Sequence, residues 1–378
     1  MNVPKIRFND FNDEWVEYIL QSESDVRDGT HDSPKYVDNG YPLITSKNLT
    51  DMGTLDFSNV SYLKQEDFEK INQRSKVDIG DILFGMIGTI GKPVRIDRDD
   101  FAIKNVALIK EKGLIKNDYL IHYLHTPSIN KQFANNQDGG TQKFIALDKI
   151  RKLKITMPSR KEQEKIVSMF NLLDKKIELQ SKKIEDLKLF KKGLIHQMKK
   201  SSNNWSEYKI SEIFKITRGV VIPKTDLLDN KTTEYQYPVY SSQTSNNGIL
   251  GYDTKFDFDG KYLTWTTDGA NAGKVFYRNG KFRCTNVCGV LYNDNNKYVD
   301  ELTAELLNYE TPKHVSYVGN PKLMNNVMGD IKIFLPDSNE SDRVSNVLLI
   351  INNKVLLETD KLNKLNKLKK GLMQNMFV

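Results

Sequence analysis

The chain has almost no cysteine, little histidine and no long apolar run. Of its 378 residues only Cys284 and Cys288 carry thiols, so a framework of several disulfides is excluded and a reducing compartment is expected. Their spacing offers no second ligand pair and falls in a Val- and Tyr-rich strand-like stretch, so buried thiols are expected rather than a metal site. No apolar stretch approaches the ~20 residues that cross a bilayer. Residues 1–10 lack the apolar core of a secretory signal, so a cytoplasmic location is expected.

Catalytic signatures are missing as well. Gly91-Lys92 falls short of a phosphate-binding loop, because Met86 stands where the first glycine belongs and Pro93 where the Ser or Thr belongs. No GxGxxG follows a strand, and there is no GxSxG elbow and no HExxH. The five histidines are scattered. An Asn/Asp-Pro-Pro-aromatic tetrapeptide, which would hold an adenine for methyl transfer, is absent, as is a metal-dependent nuclease pattern. Asp99-Asp100 and Glu66-Asp67 read as solvated turns. No catalytic residue, metal or cofactor is therefore expected on this chain. The formal charge of +7 permits a polyanionic partner without requiring one.

What the sequence does have, it has twice. Ile166, Phe170, Leu173, Ile177, Gln180, Ile184, Leu187, Lys191, Leu194 and Met198 alternate in steps of four and three, the seam of a coiled coil. Adding 178 to each number gives Val344, Leu348, Ile351, Val355, Glu358, Leu362, Leu365, Lys369, Leu372 and Met376. The polar breaks fall at matching places, Lys-Lys-Gly ends both copies, and Pro158 and Pro336 announce them. Each seam spans about 33 residues, or roughly 50 Å of helix. Parallel pairing would set Lys191 against Lys369, so antiparallel pairing of the two helices is expected, with both lysines snorkelling from the seam. A dimerisation coiled coil between chains is the plainer alternative.

Each helix follows a globular half. The expected domains are residues 1–157 and 201–335, with helices in 158–200 and 336–378. Trp205-Ser206-Glu207-Tyr208 answers Trp15-Val16-Glu17-Tyr18, and Phe282 to Val287 answers Phe101 to Val106. Short apolar runs punctuated by Gly, Pro and Asn indicate α+β or α/β-like halves with several short strands. Strands are expected over 101–109 and 150–157, and a helix over 118–125. The frames agree while the loop tips differ, which suggests one task performed on two targets.

The loops are rich in the side chains that hold phosphates and read base edges. In the first half these are Arg27, Thr30, His31, Thr45, Ser46, Lys47, Asn48, Thr89, Lys92, Gln142 and Lys143. In the second they are Arg218, Lys224, Ser241, Ser242, Gln243, Thr266, Thr267, Asn271, Lys274 and Lys322. Lys92 and Lys274 are the expected phosphate contacts, whereas Asn105 and Asn286 read as strand-end hydrogen bonders.

The order of these motifs resembles the specificity subunits of type I restriction–modification systems. The resemblance is carried by Pro4-Lys5-Ile6-Arg7-Phe8, Gly80-Asp81-Ile82-Leu83-Phe84, Gly88-Thr89-Ile90-Gly91-Lys92 and Gly139-Gly140-Thr141-Gln142-Lys143. Pro158-Ser159-Arg160-Lys161-Glu162-Gln163 and the two Lys-Gly-Leu helix endings complete it, so that it covers essentially the whole chain. The second copy departs where Asn339-Glu340-Ser341-Asp342 replaces the Glu-Gln pair. The resemblance implies two target recognition domains, each reading one part of a split site in double-stranded DNA. It also implies a helix pair that sets the spacing and docks two methylation subunits and up to two restriction subunits. S-adenosylmethionine, ATP and magnesium would then act on those partners. The competing readings are a DNA-binding coiled-coil scaffold without base specificity and an unrecognised nuclease.

Overall fold

The computed structural model describes residues 3–50, 53–88, 90–136, 144–200 and 205–378. The chain divides into two compact units, Met1–Ser181 with Lys361–Val378, and Lys182–Asp360. Each unit thus takes a share of both long helices, which the expected partition at residues 157, 200 and 335 had set apart.

In the first unit, Ser24–Asp28, Val106–Glu111, Ile82–Gly85 and Gly91–Arg95 form a four-stranded antiparallel sheet in that order. Both its faces are covered. Ile82, Phe84, Ala107 and Ile109 pack on Tyr119, Leu120 and Phe133, while Leu83, Val94, Val106 and Leu108 pack on Leu49 and Ile103. Burial on both faces explains why these strands read as continuous apolar runs rather than alternating ones. The expected strand over 101–109 is broken at Lys104-Asn105. Asn105 turns to a φ of 54°, a left-handed conformation that asparagine tolerates better than most residues. Ala102–Ile103 can therefore pair with Leu43-Ile44 in one sheet while Val106–Glu111 enters another. The strand expected over 150–157 is shortened to Lys154–Met157, because Leu147–Arg151 is helical and puts Leu147 and Ile150 on the core. The expected helix is present as Asn117–Tyr123.

The second unit is built on a six-stranded sheet. Its order is Lys215–Arg218, Cys288–Tyr292, Phe258–Thr266, Val275–Cys284, Tyr237–Tyr240, Ile249–Asp253. The Phe258–Thr266 and Val275–Cys284 strands face each other at Gly260 and Gly280, whose φ values are 118° and 106°. Such angles are cheap only for glycine. At that end of the ribbon Phe258 and Phe282 stack, and Phe282 packs on Cys288 and Val290. Both cysteines are free and buried.

The internal repeat is visible in the pairings. Val16–Ile19 lies antiparallel to Lys154–Met157, as Ser206–Lys209 does to Lys332–Leu335. Each pair carries the same ion pair, Lys154–Glu17 and Lys332–Glu207, both at 2.9 Å.

The long helices are Arg160–Lys200 and Ser338–Asn375. Their seam residues Ile166, Phe170, Leu173, Ile184, Leu348 and Ile351 are buried, and Ile177, Leu187, Leu194, Val344, Val355, Leu362, Leu365 and Leu372 are half-buried. Within the first unit the Phe170 ring lies 5.6 Å from that of Phe377 and Asp174 pairs with Lys369. Within the second, Lys183 meets Glu358 and Lys191 meets Asn352. In both, rising numbers on one helix meet falling numbers on the other, so the pairing is antiparallel.

The seam lysines do not snorkel. Lys191 donates to Glu305 at 2.8 Å and to Asn352 at 3.0 Å, and Lys369 pairs with Asp174. A largely buried ammonium needs such partners to offset its lost hydration. Glu358, the polar break in the second seam, is 1% exposed and sits between Lys183 and Lys354.

The divergent helix start in the second copy also has a physical basis. In the first copy Arg7 forks onto the buried Glu162 with two 2.8 Å bonds, and Gln163 donates to the Pro158 carbonyl. In the second, Ser341 donates to Asp300 at 2.6 Å and Ser345 accepts from the Glu301 amide. The serines fasten the N-terminus of the Glu301–Glu310 helix instead.

Candidate nucleic-acid interface

In the first unit the chain leaves Ser24–Asp28 through Gly29, where a Cβ would lie 2.4 Å from the Ile103 carbonyl oxygen. Only glycine permits that approach, and it sets Thr30 beside Lys104 in a parallel bridge. His31 follows. Its Nδ1 is 2.7 Å from Asn105 Oδ1 and its Nε2 is 2.9 Å from Asp28 Oδ2, while Arg74 also holds Asp28. The Asp28 hydrogen bond, then that of Asn105, raises the His31 pKa above its ordinary value. Both ring nitrogens are thereby engaged.

Two cavities flank this group. One of about 360 Å³ is lined by Thr30, His31, Ser33, Lys70 and Arg74. The other, about 610 Å³, is lined by Tyr36, Lys47, Asn59, Ser61, Gly88 and Asn105. Exposed Lys47 and half-buried Thr30 supply a positive charge and a hydroxyl around them.

Several expected readers turn out to be scaffolding. Buried Ser46 donates to the Asn105 carbonyl, and buried Asn48 accepts from the Thr45 amide and hydroxyl while donating to the Asp56 carbonyl. These bonds close the Ser46–Asn48 turn, which removes Thr45, Ser46 and Asn48 from base contact. Arg27 spends its guanidinium on Asp25 and the Arg74 carbonyl. Lys92 opens the Gly91–Arg95 strand with a φ of 49° and is half-buried. Thr89, Gln142 and Lys143 lie outside the described residues.

The second unit repeats the frame with other side chains. A Cβ on Gly219 would lie 2.2 Å from the Cys284 carbonyl oxygen, and Val220 bridges Thr285 as Thr30 bridges Lys104. Arg218 therefore stands for Asp28, and Val221 for His31. Val220 and Val221 are 48% and 76% exposed. Arg218 lies 3.7 Å from the Met324 sulfur. Ser316 and Lys322 bridge each other, with Tyr317 and Val318 exposed between them, and Lys322 also bridges Asp268.

Thr266 and Thr267 are buried; Thr266 donates to the Asn271 carbonyl and Thr267 to Asp268. Ser241 accepts from Thr285, and Gln243 donates to the Ile249 carbonyl within its own loop. Thr266 and Thr267 spend their hydroxyl protons on these loops, whereas Ser241 keeps its own proton and Gln243 a second amide proton. Lys224 and Asn271 are exposed and Ser242 is half-buried. The Lys274 side chain keeps exposed surface, but burial of its ammonium lowers its pKa, with Glu305 and Glu301 opposing and Lys191 adding to the shift.

Sequence reasoning missed Arg278. It is 3% exposed, stacks 3.5 Å over the Tyr240 ring and donates from Nε to Thr264 at 3.1 Å. Burial lowers its pKa. It lies under Gly248, supporting the loop that follows Tyr240. Its flanking aromatics, Phe276 and Tyr277, were the available signal.

Among the described residues no group of three or more His, Cys, Asp or Glu could hold a metal ion. No described helix is long and apolar enough to cross a membrane.

The family model for the type I restriction modification DNA specificity domain matches residues 33–189 and again 202–367. A Mycoplasma pneumoniae protein provisionally described as type I specificity subunit S.MpnORF365P is 35% identical over 213 residues, covering 54% of this chain and 77% of that protein. The type I restriction enzyme MpnII specificity subunit of the same organism is 39% identical over 142 residues, 37% of this chain and 42% of its own length. The crystal structure of a type I restriction–modification system S subunit from M. genitalium shares the fold. It has a TM-score of 0.72 at 16% identity, over 100% of this chain and 99% of that one.

Proposed function

The chain belongs to the type I restriction–modification DNA specificity family and carries two of its domains in tandem, and on that premise we propose that each unit reads one part of a split, asymmetric DNA site. The observation that carries this reading is the pairing of like frames with unlike edges. Thr30 and His31 occupy in one unit the places of Val220 and Val221 in the other.

The chemistry follows from those edges. Exposed lysines such as Lys47 and Lys322 neutralise phosphates and set the register without reading sequence. Thr30 offers a hydroxyl to base edges beside His31, whose two ring nitrogens are engaged by Asn105 and Asp28, and exposed valines offer contact to a thymine methyl. The long helices set the number of base pairs between the half-sites and dock two methylation subunits, with up to two restriction subunits joining them. The chain itself performs no reaction. S-adenosylmethionine, ATP and magnesium belong to the partner subunits, in the cytoplasm.

The test is a genome-wide map of methylated adenines in cells with and without this chain. Loss of methylation at one split motif supports the reading. Cleavage or nicking of DNA by the purified chain with magnesium would contradict the non-catalytic role.

A further inference from the structure

The second unit carries an exposed apolar tip that its own turn does not require. Ser316 and Lys322 exchange two 2.9 Å backbone hydrogen bonds, closing a hairpin whose tip is Tyr317-Val318-Gly319-Asn320-Pro321. Gly319, at a φ of 74°, supplies a left-handed residue, and with Asn320 and Pro321 it gives the turn its usual chemistry. Tyr317 and Val318 are nevertheless 68% and 91% exposed, and neither joins a core cluster of the described residues. Two adjacent apolar side chains at the apex of a turn cost solvation that a polar pair would not.

The root of this hairpin is tied down. Leu323, wholly buried, donates its amide to the Thr267 carbonyl at 2.9 Å, and its own carbonyl accepts from Trp265 Nε1 at 3.0 Å. The Gly269 amide donates to the Pro321 carbonyl at 3.0 Å. The first unit repeats this root: the Ile145 amide donates to the Met86 carbonyl at 2.9 Å, and 145 becomes 323 on adding 178. A hairpin already ordered at its root loses little entropy when its apex enters a partner.

The apex belongs to the reading edge. Thr267, which holds Leu323, donates its own amide to the Val287 carbonyl, and the next carbonyl, of Cys288, accepts from Gly219. Gly219 in turn leads into Val220 and Val221. Arg218 joins the two from the other side. It contacts the Met324 sulfur, and its buried Nε has no hydrogen-bond partner among the described residues. Exposed Lys322 adds a second positive charge at the root. An apolar apex flanked by cations fits a partner that is anionic outside and stacked and apolar inside, and duplex DNA has that form.

We propose that Tyr317 and Val318 form a wedge that enters the base stack of the second half-site and holds open the place from which the target adenine is turned out. This rests on the function proposed above. A methyltransferase acts on a base only after taking it out of the stack, at a cost in unpairing and unstacking. Apolar side chains inserted between base steps kink the duplex open, and an aromatic ring replaces stacking that the departing base has given up. The methylation subunit holds the adenine while this chain holds the gap.

The experiment uses the full chain assembled with its methylation subunits on duplexes of the methylated motif, with 2-aminopurine at the target adenine of one half-site or the other. Wild type should raise the emission at both positions. Tyr317→Ala with Val318→Ser should lose the rise at one position only and bind about ten- to a hundredfold more weakly, the loss expected on removing a stacked aromatic. A mismatch opposite that target base, which lowers the unpairing cost, should restore binding by the doubly substituted chain. Tyr317→Trp should keep the wild-type emission, and melting curves should not move, because both side chains are exposed. Full emission at both positions from the doubly substituted chain overturns the wedge and leaves the specificity reading standing. A loss of binding that the mismatch does not restore makes the tip a base reader and overturns the wedge. Loss of methylation subunits from the substituted chain without DNA makes the occupant a protein and overturns it as well. A wild-type complex with no preference for the motif overturns both readings.

Discussion

The two reading edges differ most where their supports agree. Gly29 and Gly219 are both forced by a backbone oxygen that would sit 2.4 or 2.2 Å from a Cβ. One residue later the chain bridges the same neighbouring segment in each unit, at Lys104 and at Thr285. One residue after that, His31 is held by Asp28 and Asn105, while Val221 stands exposed with Arg218 at the base of the loop. A backbone contact fixes the path of the loop, and the tip is then free to change its chemistry. This is how one frame serves two targets.

The largest expected effects test whether the units are separate supports. Phe170→Ala opens the core of the first unit and should cost about 3–5 kcal/mol there, whereas Leu348→Ala should cost about 2–5 kcal/mol in the second. Hydrogen exchange resolved along the chain checks this, and equal loss of protection in both units from either change would break the comparison.

Base readers come next. Thr30→Val should relax discrimination by about 1–3 kcal/mol at one position of one half-site, and Val221→Ser should do so only in the other half. Binding to duplexes randomised one position at a time separates the two. A smaller, uniform effect is expected from Lys47→Ala and Lys322→Ala, which should weaken binding to all sequences and lower the salt slope by about one.

The smallest effects are those of pH, and two buried groups, one in each unit, give them opposite signs. Burial lowers the His122 pKa, with Lys369 reinforcing and Asp174 opposing it. That contribution to stability is present above the ordinary histidine value and is lost as pH falls through the lowered one. In the second unit burial, then Glu305, raises Glu301 to about 7. Its contribution is present below the ordinary glutamate value and is lost as pH rises through about 7. Unfolding of each unit followed from pH 4 to 8 should show these trends, and Glu301→Gln should remove the second.

Much of this was legible because it rests on periodicity. The alternating seam, its polar breaks and the offset of 178 gave the antiparallel helices and the two halves. What pairs with a seam lysine was not legible, since Glu305 comes from a segment more than a hundred residues away. Nor could composition tell a reader from a brace. Ser46, Asn48, Thr266 and Thr267 have the right chemistry for DNA, but their hydrogen bonds are spent on neighbouring loops. The break at Asn105 was hidden because a left-handed residue inside an apolar run leaves the run's composition unchanged.

The central claim is that the two units read different half-sites independently. The most direct measurement is the map of methylated adenines after residues 1–157 are exchanged for those of a relative with a different site. The account predicts that one half of the split motif changes while the other half stays the same. A motif that changes in both halves, or in neither, would contradict it.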